Sequence, residues 1–196
     1  MNYYIADLHF GHTNVIRFDN RPFRDMGEIE EELIRRWNDR VTAGDTVYIL
    51  GDFCWRPGNA WIPLVHRLNG RKVLIRGNHD PKKIDGKLRK MFDDIKDYKE
   101  ITDNGRKICM SHYPILFYNH SFSSKTYMLC GHVHTKHEND MLESLRAGFQ
   151  KSRKATGYGS FGQIINVGCM MPYMDYTPRT MDEILAGVGF QKEVGK

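Results

Sequence analysis

No apolar run in this 196-residue sequence approaches the roughly 18 residues that a membrane-spanning helix needs, so no membrane partner is expected. The apolar pattern starts by Tyr3, so no signal peptide is expected. Cysteine is scarce: the four present, Cys54, Cys109, Cys130 and Cys169, form no CxxC pair, and two lie inside apolar runs. They read as buried thiols acting as small hydrophobes rather than as disulfides or a zinc site, which suits a cytoplasmic protein. There is no internal repeat, low-complexity tract or linker, so residues 1–196 are expected to form a single domain large enough to bury a proper core. Charge of one sign is nowhere concentrated. A net charge of +5 and a pI near 9.0 suit an anionic substrate, but the basic residues are scattered and form no nucleic-acid-binding stripe. The hydrophobic fraction of 40% and charged fraction of 27% are ordinary for a globular protein.

What the sequence does contain is one arrangement, repeated: an apolar run that ends on polar chemistry. Val73-Leu74-Ile75 stops at Arg76-Gly77 and presents Asn78, His79 and Asp80 side by side. Tyr3 to Ala6 leads to Asp7 and His9, and Val47 to Leu50 leads to Gly51-Asp52. Ile108 to Met110 leads to Ser111-His112, and Tyr127 to Cys130 leads to Gly131-His132-Val133-His134. Buried strands of α/β proteins carry their chemistry on the loops at their carboxyl ends. Five runs delivering Asp, Asn or His at the same end therefore describe one site.

Between these runs, residues 13–18 read as a short helix capped by Thr13. Ile29, Leu33, Ile34, Trp37 and Val41 recur at helical spacing over 26–41, completing a right-handed β-α-β unit with parallel strands. A short helix is expected within 55–68 and a basic surface helix over 82–91. Tyr98 to Thr102 and Lys107 to Met110 flank Asp103-Asn104-Gly105, a β-hairpin whose Asn-Gly pair supplies positive φ angles. From there the shorter connections predict antiparallel strands in a second sheet. Residues 135–162, with Lys136, Arg146, Lys151, Arg153 and Lys154, a helix around Met141 to Phe149 and glycines at 157, 159 and 162, read as a solvated basic excursion in preference to a functional lid. Ile164 to Val167 is the last strand, and Thr180 with Glu183 forms a capping-box pattern opening a terminal helix.

Asp7, His9, Asp52, Asn78, His79, His112, His132 and His134 stand at the strand ends. Neutral imidazole with carboxylate suits divalent transition metals such as manganese, iron, zinc, nickel or cobalt. Magnesium and calcium prefer all-oxygen shells. Eight candidates exceed the needs of one ion. Two ions about 3.5–4 Å apart, bridged by one carboxylate, use them economically. Asp52 lies in sequence between the strand ends bearing Asp7 and Asn78. With Asn78 neutral, two divalent ions keep a net positive centre that attracts phosphate and turns a bridging water into hydroxide near neutral pH. In-line attack on phosphorus leaves an alkoxide, and His79, next to Asn78, is placed to protonate it. Asp80 is a candidate to orient His79. His132 and His134 are read as alternate residues of an extended strand, sharing a face. His12 is a candidate substrate contact or support behind the ligands. His66, His120 and His137 lack such a context.

These residues, in this order, resemble the calcineurin-like metallophosphoesterase family, whose signature runs D-x-H, G-D, G-N-H-D/E, a single H, and G-H-x-H. All five blocks are present, as Asp7/His9, Gly51/Asp52, Gly77 to Asp80, His112, and Gly131 to His134. The longer wording, Asp7-Leu8-His9-Phe10-Gly11-His12, Arg21-Pro22-Phe23, Trp37-Asn38 and Leu50-Gly51-Asp52-Phe53, is similar to the small bacterial and phage-type members. The resemblance implies an α/β fold, a two-sheet β-sandwich flanked by helices in four layers. It implies that one metal takes Asp7, His9, Asp52 and His134, and the other Asp52, Asn78, His112 and His132. His79 would stabilise or protonate the leaving group. Manganese stands first among the candidate metals.

The expected activity is hydrolysis of a phosphomonoester or phosphodiester by a metal-bridging hydroxide, on a phosphorylated small molecule or a nucleotide. The alternative is a nuclease acting on DNA or RNA with the same centre. The basic pI supports it, and the lack of an aromatic-plus-basic groove opposes it. A non-catalytic binding module ranks behind both, since no ligand of the pattern is missing. Arg21 and Asp80, like His12, are candidate supports behind the ligands or substrate contacts, and Arg21 and the basic residues after Thr135 are candidate phosphate or product contacts.

Overall fold

Two four-stranded sheets form the framework. In the computed structural model, which describes residues 1–84, 86–156 and 163–189, the first sheet has β1 (Asn2–Ile5), β2 (Thr46–Ile49), β3 (Arg71–Ile75) and β4 (Asp94–Lys96) in that order, all parallel. β1 to β3 are buried almost throughout, as parallel strands covered on both faces must be. Their connections are helical: α1 (Val15–Phe18) and α2 (Met26–Asn38) precede β2, α3 (Trp61–His66) precedes β3, and α4 (Gly86–Arg89) precedes β4. α2 opens on Asp25, whose carboxylate accepts from the Glu28 N–H at 2.9 Å, and buries Ile29, Leu33, Ile34 and Trp37 against the sheet. The helix expected over 82–91 shrinks to the single turn of α4. The Thr13 cap does not form. α1 starts at Val15 after Asn14, because the Val15 N–H is already taken by the His12 carbonyl in the turn leaving β1.

The second sheet has β5 (Tyr98–Asp103), β6 (Arg106–Ser111), β7 (Thr126–Cys130) and β8 (Ile164–Asn166). β5 and β6 form the expected hairpin, with Asn104 at φ 48° and Gly105 at φ 75° in its turn. The antiparallel expectation fails beyond it: β6–β7 and β7–β8 are parallel. The connection over 112–125 and the helix α5 (His137–Thr156) are long enough to return the chain to the starting edge, as parallel pairing demands. The sequence reading also missed β4, a short edge strand of polar composition.

Much of the basic excursion is therefore α5. Its Leu142 is buried in a cluster with Tyr118, Met128, Cys130, Val133 and Ile164, so the start of the helix packs on the second sheet, while Met141, Leu145 and most of its other described side chains face water as expected of a solvated segment. Gly157, Gly159 and Gly162 lie outside the described residues. One core holds Ile5, Leu50 and Leu74 of the first sheet together with Met110, Leu129 and Ile165 of the second. The sheets meet where the Ala6 N–H donates to Val167 O and the Cys169 N–H to Ala6 O, each at 2.8 Å. α6 (Met181–Gly187) carries the capping box of Thr180 and Glu183. All four cysteines are free and buried. Among the described residues no helix is long and apolar enough to cross a membrane. The result is the expected α/β architecture of two sheets flanked by helices.

Candidate metal centre

The loops leaving β1 and β2, and those leaving β6 and β7, are laced together in pairs by their backbones. The Asp7 N–H donates to Gly51 O at 3.1 Å, the His9 N–H to Asp52 O at 2.9 Å, and the Gly131 N–H to His112 O at 2.9 Å. Five of the sequence-selected residues are left-handed: Asp7 (φ 56°), His9 (53°), Asp52 (50°), His132 (71°) and His134 (47°). For non-glycine residues such backbone costs on the order of 1–3 kcal/mol each and persists where the surroundings over-determine it. His132 is not part of an extended strand. The Val133 N–H closes a three-residue turn onto Gly131 O at 2.9 Å. As a consequence the two imidazoles go to different partners. The glycines in the motifs are explained by close approach: a Cβ on Gly51, itself at φ 86°, would lie 2.3 Å from His112 Nδ1, and one on Gly77 would lie 2.2 Å from Asp52 Oδ1.

Asp7, His9, Asp52 and His134 offer ligand atoms that all lie within 4.8 Å of one another, the first three residues buried. His9 Nε2 and His134 Nε2 are 3.2 Å apart. A second group forms around Asn78 Oδ1, which is 3.0 Å from both His112 Nε2 and His132 Nδ1. Between them lies Asp52 Oδ2, 3.6 Å from His9 Nε2 and 3.5 Å from His112 Nε2. The other oxygen, Asp52 Oδ1, accepts the His79 backbone N–H at 3.0 Å.

This donor set fits divalent transition ions. His112 turns Nδ1 to the Leu50 carbonyl at 2.8 Å, and His134 turns Nδ1 to Asp19 at 2.8 and 2.9 Å. With Nδ1 protonated in both, each keeps an Nε2 lone pair for the centre. Burial, reinforced by His134 beside it, drives the His9 pKa far below the ordinary imidazole range and keeps the ring neutral. Burial also pushes the Asp7 carboxyl up, although the His132 N–H donates to both its oxygens at 3.1 Å. Nitrogen lone pairs and carboxylates converging at these distances repel one another unless a cation lies among them, and mixed N/O donors are what transition ions take.

Asp19 escaped the sequence reading. Its carboxylate joins His134 to Arg21, whose guanidinium donates to Asp19 Oδ2 at 3.1 and 3.2 Å, Leu8 O at 3.0 Å and Asp7 O at 2.8 Å. The side chains of both Asp19 and Arg21 are fully buried. Arg21 is therefore not a phosphate contact; it supports the β1 loop from behind. Asp80 does not orient His79 either. Its carboxylate accepts from the backbone N–H groups of Asp52, Phe53 and Gly77 at 2.8–3.0 Å, stapling the β2 and β3 loops, and burial pushes its pKa up to about 6 against those three donors. His12 lies with Nδ1 3.5 Å from His9 Nδ1, and His79 is exposed at the mouth with Nε2 4.0 Å from Asp52 Oδ2. Of the basic residues after Thr135, Lys136 donates to Phe18 O and Arg146 pairs with Glu143.

Asp19→Asn is expected to weaken divalent-metal binding about 10–100-fold, the usual cost of losing a partner behind a ligand, read by calorimetric titration. Arg21→Ala strands a buried carboxylate and is expected to lower stability by about 3–5 kcal/mol in chemical denaturation.

A model of calcineurin-like phosphoesterases matches residues 3–151. An uncharacterised protein of Methanocaldococcus jannaschii is 37% identical over 137 residues, which cover 69% of this chain and 70% of that protein. The gene 66 protein of Mycobacterium phage L5 is 35% identical over 81 residues, 40% of this chain and 39% of its own length. The crystal structure of a protein of unknown function from Aquifex aeolicus superposes with a TM-score of 0.65 at 29% identity, covering 94% of this chain and 97% of its own. With the matched region spanning every strand-end motif from Asp7 to His134, the chain belongs to the calcineurin-like phosphoesterase family.

Proposed function

We propose that the protein hydrolyses phosphoesters of small molecules or nucleotides with two divalent transition ions, manganese first among them. Asp7, His9, Asp52 and His134 would hold one, and Asp52, Asn78, His112 and His132 the other. The observation that carries this reading is Asp52 Oδ2, which lies 3.6 Å from an imidazole nitrogen of the first group and 3.5 Å from one of the second. Two bound divalent ions supply positive charge for the phosphate oxygens and lower the pKa of water. The chain supplies the rest. Asn78 contributes an oxygen without charge, so the two carboxylates do not neutralise the centre. His112 and His134 are fixed by Leu50 O and Asp19, which spares the reaction any reorientation of those rings. His79, outside both ligand groups and open to the mouth, donates the proton that the departing alkoxide needs.

The test is hydrolysis of p-nitrophenyl phosphate and bis-p-nitrophenyl phosphate by metal-stripped protein, before and after Mn²⁺ is restored. Turnover that appears with Mn²⁺ and vanishes with chelator supports the proposal, and the ratio of the two rates separates phosphodiesterase from phosphatase. Absence of turnover on both esters with metal bound would contradict it.

A further inference from the structure

Trp55 differs from the other two tryptophans. Trp37 and Trp61 are 1% and 0% exposed, whereas Trp55 is 48% exposed. One side of its ring stacks on His12, with centroids 4.0 Å apart and planes 12° from parallel. Its centroid is also 4.6 Å from that of His79. The indole is held by its backbone: the Trp55 N–H donates to Phe10 O at 2.9 Å, and the Phe10 N–H to Phe53 O at 3.0 Å. The buried rings of Phe10 and Phe53, 5.4 Å apart, anchor that pair of loops in the core. A large apolar ring is therefore kept in solvent, preorganised, beside the residue that meets the leaving group. Tyr113 is equally exposed, but it packs edge-on against the candidate ligands His112 and His132.

We propose that Trp55 is the platform on which the leaving group of the substrate stacks, and that the preferred substrates release an alcohol that carries a flat aromatic ring, such as a nucleoside. This deepens the proposed function and rests on it, since His79 identifies the leaving-group side. A rigid indole face suits any nucleobase, because every base has a π-face, and stacking of this kind is worth about tenfold or more in binding when the ring is removed. His12, parallel to the indole, backs the platform and fixes its tilt.

The test uses the Mn²⁺-loaded protein in two assays. Because Trp37 and Trp61 are buried, acrylamide quenching of tryptophan fluorescence reads Trp55. AMP should shield it and glycerol phosphate should not. In turnover, the adenosine and glycerol esters of whichever class the wild type hydrolyses are compared, since both leave as similar alkoxides. Trp55→Ala should lower kcat/KM for the adenosine ester about tenfold more than for the glycerol ester, mainly through KM, while Trp55→Phe restores most of the difference. Equal losses on both esters, or acrylamide quenching that AMP does not alter, would overturn the proposal. Failure of the wild type to hydrolyse any ester contradicts the metal-centre reading instead, and the fluorescence assay then decides the platform alone.

Discussion

His79→Ala is expected to lower kcat by roughly 10²–10⁴-fold, the usual worth of a positioned general acid, without loss of divalent-metal binding. The separation follows from which atoms of His79 do what. Its backbone N–H, which alanine retains, holds Asp52 Oδ1 at 3.0 Å and so orients the shared carboxylate. Its imidazole is absent from both ligand groups and stands exposed, 4.0 Å from Asp52 Oδ2. The loss should also depend on the leaving group. An alkoxide needs a proton and p-nitrophenolate scarcely does, so the defect should be largest on alkyl esters. Metal analysis beside steady-state kinetics on both ester types checks this. Loss of the metals, or an equal defect on both esters, would remove His79 from its role.

Asp52→Asn is expected to abolish turnover and to weaken metal binding by more than about 100-fold, beyond the 10–100-fold cost of losing a supporting residue. The substitution is nearly isosteric at a residue only 2% exposed, and the His9 N–H still finds the backbone carbonyl at that position, so the metal-free fold should survive. What disappears is the charge of the carboxylate whose Oδ2 lies 3.6 and 3.5 Å from an imidazole nitrogen of each group. The amide could present an oxygen to one ion or the other but no longer a shared anion, and both sets lose affinity together. Calorimetric titration with Mn²⁺, with circular dichroism as the control for folding, reads the outcome. A variant that still bound two ions would show that the carboxylate is not shared.

The grouping of the strand-end residues was legible in the sequence because parallel strands buried on both faces read as short apolar blocks, and their carboxyl ends must then carry the polar groups. Asp7, His9, Asp52, Asn78, His112, His132 and His134 were all found that way, and the structure brings them within reach of one another. The manner of their convergence was not legible. The G-H-x-H stretch alternates like a strand, yet left-handed backbone at His132 and His134 separates their imidazoles, an outcome set by the surrounding loops rather than by local preference. Asp19 and Arg21 look like any surface pair two residues apart. Only their burial against the Asp7 and Leu8 carbonyls turns Arg21 from a candidate phosphate contact into a support. The same long-range dependence hid the parallel pairing of β7 with β6 and β8, which is set by crossovers over 112–125 and through α5 that the strands themselves do not announce.

On the proposed function, Asp52 would contribute to the binding of both ions. Anomalous diffraction at the manganese edge from crystals of the Mn²⁺-loaded protein tests it most directly. Two peaks about 3.5–4 Å apart, both in contact with the Asp52 carboxylate and flanked by His9 and His134 on one side and His112 and His132 on the other, are the predicted result. A single peak, or two that do not share Asp52, would contradict the account.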